Sequence, residues 1–163
     1  MKIELSPAGR DVMRGLAGNK AKLLATLCKN GAEVAEIVAF VAQAQLALYE
    51  RTGAVAPWIG YFARAGETLV GACSFTGMPA DGAVEIAYFT FPPYEGRGIA
   101  SQMAGLLVAI AMAEPDIQSV IAFTLPERNA STRVLEKHGF ARDGTAQDKD
   151  AGEVWRWRKI LVR

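Results

Sequence analysis

Histidine occurs once and cysteine twice in the 163 residues. Cys28 and Cys73 lie far apart, fit no metal-ligand spacing and sit among apolar residues. They are expected to be buried free thiols in a reducing cytoplasm, neither a disulfide framework nor a zinc site. No His/Cys/Asp constellation points to a metal or a nucleophilic triad. Excess charge is also missing: 18 basic residues face 17 acidic ones, a net +1, so nothing in the total argues for a nucleic-acid partner. Nor is there an uninterrupted apolar span. The longest helical apolar segment, Ala32 to Tyr49, is broken by Glu33, Glu36, Gln43 and Gln45 and reads as a soluble helix rather than a membrane span. At the N-terminus Glu4, Arg10, Asp11 and Arg14 interrupt what a secretory leader would need as its apolar centre. With no repeat, low-complexity tract or linker, 163 residues of which 51% are apolar predict one globular domain with a sizeable core.

What is present is a change of period along the chain. Ser6-Pro7 reads as a helix N-cap followed by proline at the first helical position. Val12, Met13, Leu16, Leu23, Leu24 and Leu27 then recur at helical spacing, with a break at Gly18-Asn19 and a stop at Asn30-Gly31. A second helix puts Val34, Ile37, Val38, Val41, Leu48 and Tyr49 on one face and ends near Thr52-Gly53. From Trp58 the pattern alternates. Trp58–Arg64, Leu69–Phe75 and Val84–Phe91 are predicted strands of an antiparallel meander. A helix over Ile99–Ala113 and a strand over Ser119–Leu125 make a βαβ crossover with Val84–Phe91, hence two parallel strands. A short helix stopping at Gly139, then strands at Phe140–Arg142 and Glu153–Val162 around a polar loop, complete a mixed α/β order.

The stretch from Phe91 to Ala104, FPPYEGRGIASQMA, joins strand to helix with two glycines one residue apart. A helix N-terminus carries unpaired amides and partial positive charge. Small residues there let those amides converge on an anion, commonly a phosphate. Gly96 and Gly98 remove obstructing side chains, Ala100 and Ser101 keep the first turn narrow, and Arg97 adds a mobile charge. A loop serving only the turn fits the spacing equally. Gly98-Ile99-Ala100 is not the Gly-Lys-Ser/Thr of a P-loop, and Ser101 stands where a dinucleotide fingerprint wants its third glycine.

Glu95-Gly96-Arg97-Gly98-Ile99-Ala100, preceded by Pro92, resembles the Q/R-x-x-G-x-G/A signature of the GNAT N-acetyltransferase superfamily. Downstream, PERNASTRVLEKHGF (Pro126 to Phe140) is similar to the N-x-A-S-x-R-V-L-E-K-x-G-F segment of its RimJ/RimL-like branch. The resemblance runs from Trp58 to about Leu161. It implies a central, mixed, mostly antiparallel sheet with one splayed parallel pair, flanked by helices. It also implies acetyl-CoA as donor, with residues 58–163 as the coenzyme-binding core and residues 1–53 as a helical acceptor side. The pantetheine arm would pair with backbone at Phe89, Thr90 and Phe91, and the diphosphate would rest on amides of Gly96, Arg97, Gly98, Ile99, Ala100 and Ser101. Two slots depart. The Gln/Arg position holds Glu95, an anion beside an anion site, expected to point away or pair with a cation. The Asn position holds Arg128, and a one-residue shift would give Asn129 the pantetheine contact.

Acetyl transfer needs a neutral amine, an oxyanion donor and a proton for the leaving thiolate. An α-amine titrates near roughly 8 and a lysine near roughly 10.4, so the former needs little base help and the latter much. Glu85, in the apolar run AVEIAYF, is the base candidate, since an apolar setting suits a carboxyl to receive a proton; a structural carboxylate is the competing reading. The family's tyrosine acid slot holds Leu135. Tyr88 is a substitute that strand alternation sends to the opposite face from Glu85, so core packing is its simpler role, and water can protonate the thiolate. The oxyanion donor is expected to be the Phe89 or Thr90 amide. His138 reads as a helix C-terminal residue, Trp155 and Trp157 as packed, and Asp143, Asp148 and Asp150 as a solvated loop. The chain is thus expected to be a cytoplasmic acetyl-CoA-dependent N-acetyltransferase acting on a peptide N-terminus or small amine, without metal, nucleic acid or membrane, a homodimer being an allowed state. A non-catalytic acyl-CoA-binding domain and a nucleotide-binding module are the alternatives.

Overall fold

The computed structural model describes residues 1–18 and 32–163. Cys28 and the apolar positions Leu23, Leu24 and Leu27 lie outside the described residues, as does the stop at Asn30-Gly31. The chain begins with a strand, not a helix. β1 (Glu4–Ala8) pairs antiparallel with β2 (Gly60–Ala65), setting Ser6 against Phe62 and Pro7 against Tyr61. The Ser6-Pro7 signal therefore does not open a helix. β1 is the sheet edge, where a residue without an amide hydrogen is tolerated because no partner awaits that donor. Helix α1 (Arg10–Ala17) starts behind Gly9 and ends at Gly18.

α2 (Ala32–Thr52) buries Val34, Val38, Ala42, Gln45 and Tyr49, one stripe at helical spacing. The Tyr49 hydroxyl fixes it to the sheet, donating to Ala8 O at 2.7 Å and accepting from Gly60 N at 2.8 Å. β3 (Thr68–Phe75) and β4 (Ala83–Thr90) continue the meander. A single 3-10 turn, Pro92–Tyr94, leads to α3 (Ile99–Met112), followed by β5 (Ser119–Thr124), α4 (Ala130–Lys137), β6 (Ala141–Asp148) and β7 (Gly152–Ile160). The sheet order is β1-β2-β3-β4-β5-β7-β6, and only β4 and β5 run parallel. This is the mixed, mostly antiparallel architecture expected from the sequence.

Strand alternation sorts the two faces. Val84 and Ile86 of β4, with Val120 and Ala122 of β5, are buried on the side that carries α3, whose Met103, Leu107 and Ala111 are fully covered. α2 covers the other face of the β2–β4 half: a Cβ on Gly60 would stand 2.9 Å from the Gln45 side chain. Asp143 and Asp148 belong to β6, not to a loop. Asp143 takes hydrogen bonds from Arg156 Nε (2.8 Å) and Arg158 Nε (2.9 Å), and Asp148 Oδ1 accepts the amides of Asp150 and Ala151. Trp157 is buried, its indole donating to Thr124 Oγ1 at 3.0 Å, and Trp155 carries Arg142 over its ring at 4.3 Å. Among the described residues, no helix is long and apolar enough to cross a membrane.

Candidate active site

β4 and β5 pair at Ala83–Ser119, Val84–Val120 and Glu85–Ile121, and then part. Each is held by its other neighbour: β4 by β3 as far as Thr90, β5 by β7 along its whole length. The two halves of the sheet therefore diverge, leaving β4 without a strand partner on that side beyond Glu85.

The register decides which backbone groups face this gap. Thr76 N donates to Glu85 O and Phe91 N to Val70 O, both at 3.0 Å. Hydrogen bonding alternates along an antiparallel pair, so Glu85, Ala87, Phe89 and Phe91 spend their main-chain groups on β3. Tyr88 and Thr90 turn theirs towards the gap. Of the three main-chain positions the sequence singled out, Thr90 alone presents its amide there, and Tyr88 joins it. Phe91 is fully buried, with its ring against Phe89.

At the end of β4 the chain makes its 3-10 turn and enters α3 through Gly96 and Gly98, at φ +75° and +74°. These are left-handed values that side chains disfavour. Gly98 is the N-cap and offers no side-chain cap, so the first amides of α3 stay free. A Cβ on either glycine would meet nothing within 4 Å; both border open space. That space is a cleft of about 500 Å³, bounded by Tyr88–Thr90, by Glu95, Gly96 and Gly98–Ser101, and by Ala130, Ser131 and Val134 of α4.

The structure thus gathers most of the predicted loop around one cleft and leaves out several members. The exposed Arg97 lies 5.6 Å over the Tyr94 ring. Asn129 caps α4, its Oδ1 accepting from Thr132 N at 3.1 Å while Thr132 Oγ1 accepts from Asn129 N. Arg128 is exposed and paired with Glu136 at 3.0 Å. Glu95 is exposed on the cleft's rim. Leu135 is fully buried. His138, which the sequence suggested only caps a helix, stands with Nε2 3.0 Å from Ser101 Oγ and ties α4 to the loop. No local pattern could have revealed that pair, because its members are 37 residues apart.

A second cleft, of about 310 Å³, lies on the opposite face between α2 and the sheet. Val41, Ala44 and Leu48 form its helical wall, with Phe40 at the rim; these are the α2 positions left out of the buried stripe. Ala72, Ser74, Thr76, Ala87 and Phe89 line the sheet side. Tyr88 and Phe89 border both clefts, so the two meet where the sheet has parted. Glu85 is half-buried on this second face, and its Oε2 accepts from Thr76 Oγ1 at 2.6 Å. Tyr88 points to the first face, its hydroxyl 3.3 Å from Ser131 O, and burial pushes its phenol up to about 12. Among the described residues no group of three His, Cys, Asp or Glu side chains could hold a metal ion.

A parted parallel pair, an uncapped helix N-terminus at its mouth and a coenzyme-sized cleft between them define an acyltransferase architecture. Residues 11–141 match the acetyltransferase (GNAT) domain, and the chain belongs to that family. It is 30% identical over 107 residues to the probable N-acetyltransferase YjcK of Bacillus subtilis (strain 168), a match covering 63% of this chain and 59% of YjcK. Among solved structures it resembles a RimL ribosomal L7/L12 alpha-N-protein acetyltransferase in complex with coenzyme A: TM-score 0.67, 20% identity, 99% of this chain and 95% of that one. It also resembles the microcin C7 self-immunity acetyltransferase MccE in complex with acetyl-CoA and AMP: TM-score 0.67, 14% identity, 98% and 93%. At these identities the likeness is one of fold.

Proposed function

We propose that this chain transfers acetyl from acetyl-CoA directly to the nitrogen of an amine. The observation that carries the reading is the meeting of the two clefts at Tyr88–Phe89. One offers backbone amides suited to a coenzyme, and the other is lined by Thr76, whose hydroxyl holds the half-buried Glu85 at its end. Family membership and the CoA-bound fold relatives supply the donor's identity.

On this reading the diphosphate lies against the free amides from Gly96 to Ser101, where the helix dipole favours negative charge. The pantetheine arm fills the gap beside β4, pairing with main chain of Tyr88 and Thr90. The acceptor enters from the α2 side, which makes α1 and α2 the acceptor half. An ammonium acceptor gives one proton to Glu85, directly or through water. The neutral nitrogen attacks the thioester carbonyl, and the oxygen that becomes negative is met by the gap-facing amide of Tyr88, where the two clefts meet. The N–C bond forms, the C–S bond breaks, and its electron pair leaves on sulfur. Glu85 still carries the first proton, so the nitrogen's surplus proton passes to solvent, and water protonates the thiolate. That last demand is modest, since a thiol titrates near roughly 8.5.

Titration calorimetry with CoA, followed by thiol release from acetyl-CoA across a panel of amines, tests this. Binding with amine-dependent release is expected. Binding without release from any amine would identify a non-catalytic acyl-CoA module, and tighter binding of ATP or NAD than of CoA a nucleotide module.

A further inference from the structure

The charge around the α2-side cleft limits what can sit in it; the inference rests on the acetyl-transfer reading just given. Its walls are Val41, Ala44 and Leu48 against Ala72, Ala87 and Phe89, with Ser74, Thr76 and Gln45 as the polar lining. No described lining residue carries a carboxylate, and residues 19–31 contain neither aspartate nor glutamate. Among the described lining residues, the ionisable groups are Tyr61, Cys73 and Tyr88. Burial raises all three, Cys73 and Tyr88 to about 12, so each is neutral at physiological pH. Among the described residues, the carboxylate bonded to a lining residue is Glu85, anchored by Thr76 at one end. Beyond it the same sheet face turns positive. Glu85 registers with Ile121, and Ile121 with Arg158, two strand spacings or roughly 10 Å away. Arg158 and its neighbour Arg156 share a single carboxylate, Asp143.

We propose that the acceptor is a primary monoamine on an apolar body, its nitrogen at the Thr76–Glu85 end and its body between α2 and Ala72, Ala87 and Phe89. One ammonium finds one carboxylate. A second ammonium on the same molecule would meet apolar walls in the cleft, where an unpaired charge is costly, or the Arg156–Arg158 pair outside it. A polyhydroxylated amine would strip water from hydroxyls for which Gln45, Ser74 and Thr76 are the few partners. An arylalkylamine and a peptide N-terminus whose first side chain is large and apolar share the required chemistry.

The test compares kcat/KM for phenethylamine, a phenylalanine-initiated tripeptide and spermidine, in the wild type and in Ala44→Glu. Ala44 is exposed on α2, so a charge there is compatible with folding and places a carboxylate on the cleft wall. At least tenfold preference for one of the apolar amines over spermidine is expected, and the faster of the two names the source. Ala44→Glu should raise the apolar amine's KM at least fivefold, narrow the preference and leave the Kd for CoA unchanged. Spermidine used as well as the apolar amines, or a preference untouched by Ala44→Glu, overturns the acceptor class while acetyl transfer stands. CoA uptake with no amine consumed overturns both.

Discussion

Replacing Gly98 by alanine separates two effects that a glycine loop normally confounds. Gly98 sits at φ +74°, and an added Cβ meets no atom within 4 Å. The folded protein therefore loses nothing to collision. It loses only the left-handed conformational preference, about 1 kcal/mol, which for a chain of this size lowers Tm by roughly 2–4 °C. Gly66, in the β2–β3 turn, has φ +63° and equally empty surroundings, and it borders neither cleft. Gly66→Ala should thus cost the same stability. Only at Gly98 does the methyl project where a diphosphate would approach. Forcing that group off one backbone amide forfeits a charge-assisted hydrogen bond of about 1.5–3 kcal/mol, or about 10- to 150-fold in affinity. Thermal denaturation of both variants with CoA titration calorimetry is the assay. Matched Tm losses with weakened CoA binding at Gly98 alone are expected. Equal CoA affinities in both variants would refute the placement of the diphosphate on this loop.

Glu85→Gln should lower kcat by about 10²- to 10⁴-fold with the Kd for CoA unchanged; a structural carboxylate would instead show as a Tm loss at nearly full activity. Glu95→Gln removes a negative charge from the rim of the cleft proposed to hold the diphosphate and should tighten CoA binding by a few-fold, about 0.6 kcal/mol for unit charges some 7 Å apart in water. The gain should shrink as salt rises, and unchanged or weaker binding would place Glu95 away from the phosphates. Partial burial pushes the Asp143 carboxyl up, but the hydrogen bonds and charges of Arg156 and Arg158 outweigh it and hold it below the usual carboxylate range. Its contribution to stability is therefore complete above its ordinary value of about 3.9 and fades as pH falls through the lowered one. Asp143→Asn should cost Tm at pH 7 and progressively less below pH ~3.9; a pH-independent difference would mean the ion pairs contribute nothing.

What the chain determined by itself is whatever local geometry enforces. The side-chain-free backbone at Gly96 and Gly98, the stop at Gly139 and the helical spacing of α2–α4 are each set within a few residues, so they can be read without partners. So can the alternation that puts Tyr88 and Glu85 on opposite faces. Other features depend on neighbours brought from far along the chain. Ser6-Pro7 has the composition of a helix start, and only the presence of β2 makes it an edge strand. Whether Phe89 or Thr90 offers its amide to the gap depends on the register with β3, which is invisible from β4 alone. Asp143 becomes part of an ion cluster because β7 inserts between β5 and β6, and Ser101 meets His138 because α4 folds back across α3. The α2-side cleft is the clearest case: its walls come from α1, α2 and three strands, and the lack of a carboxylate among its described lining residues is a property of their assembly. Local sequence fixes backbone conformation because dihedral preferences act over single residues, whereas a site's shape and charge arise from contacts that only the closed chain can make.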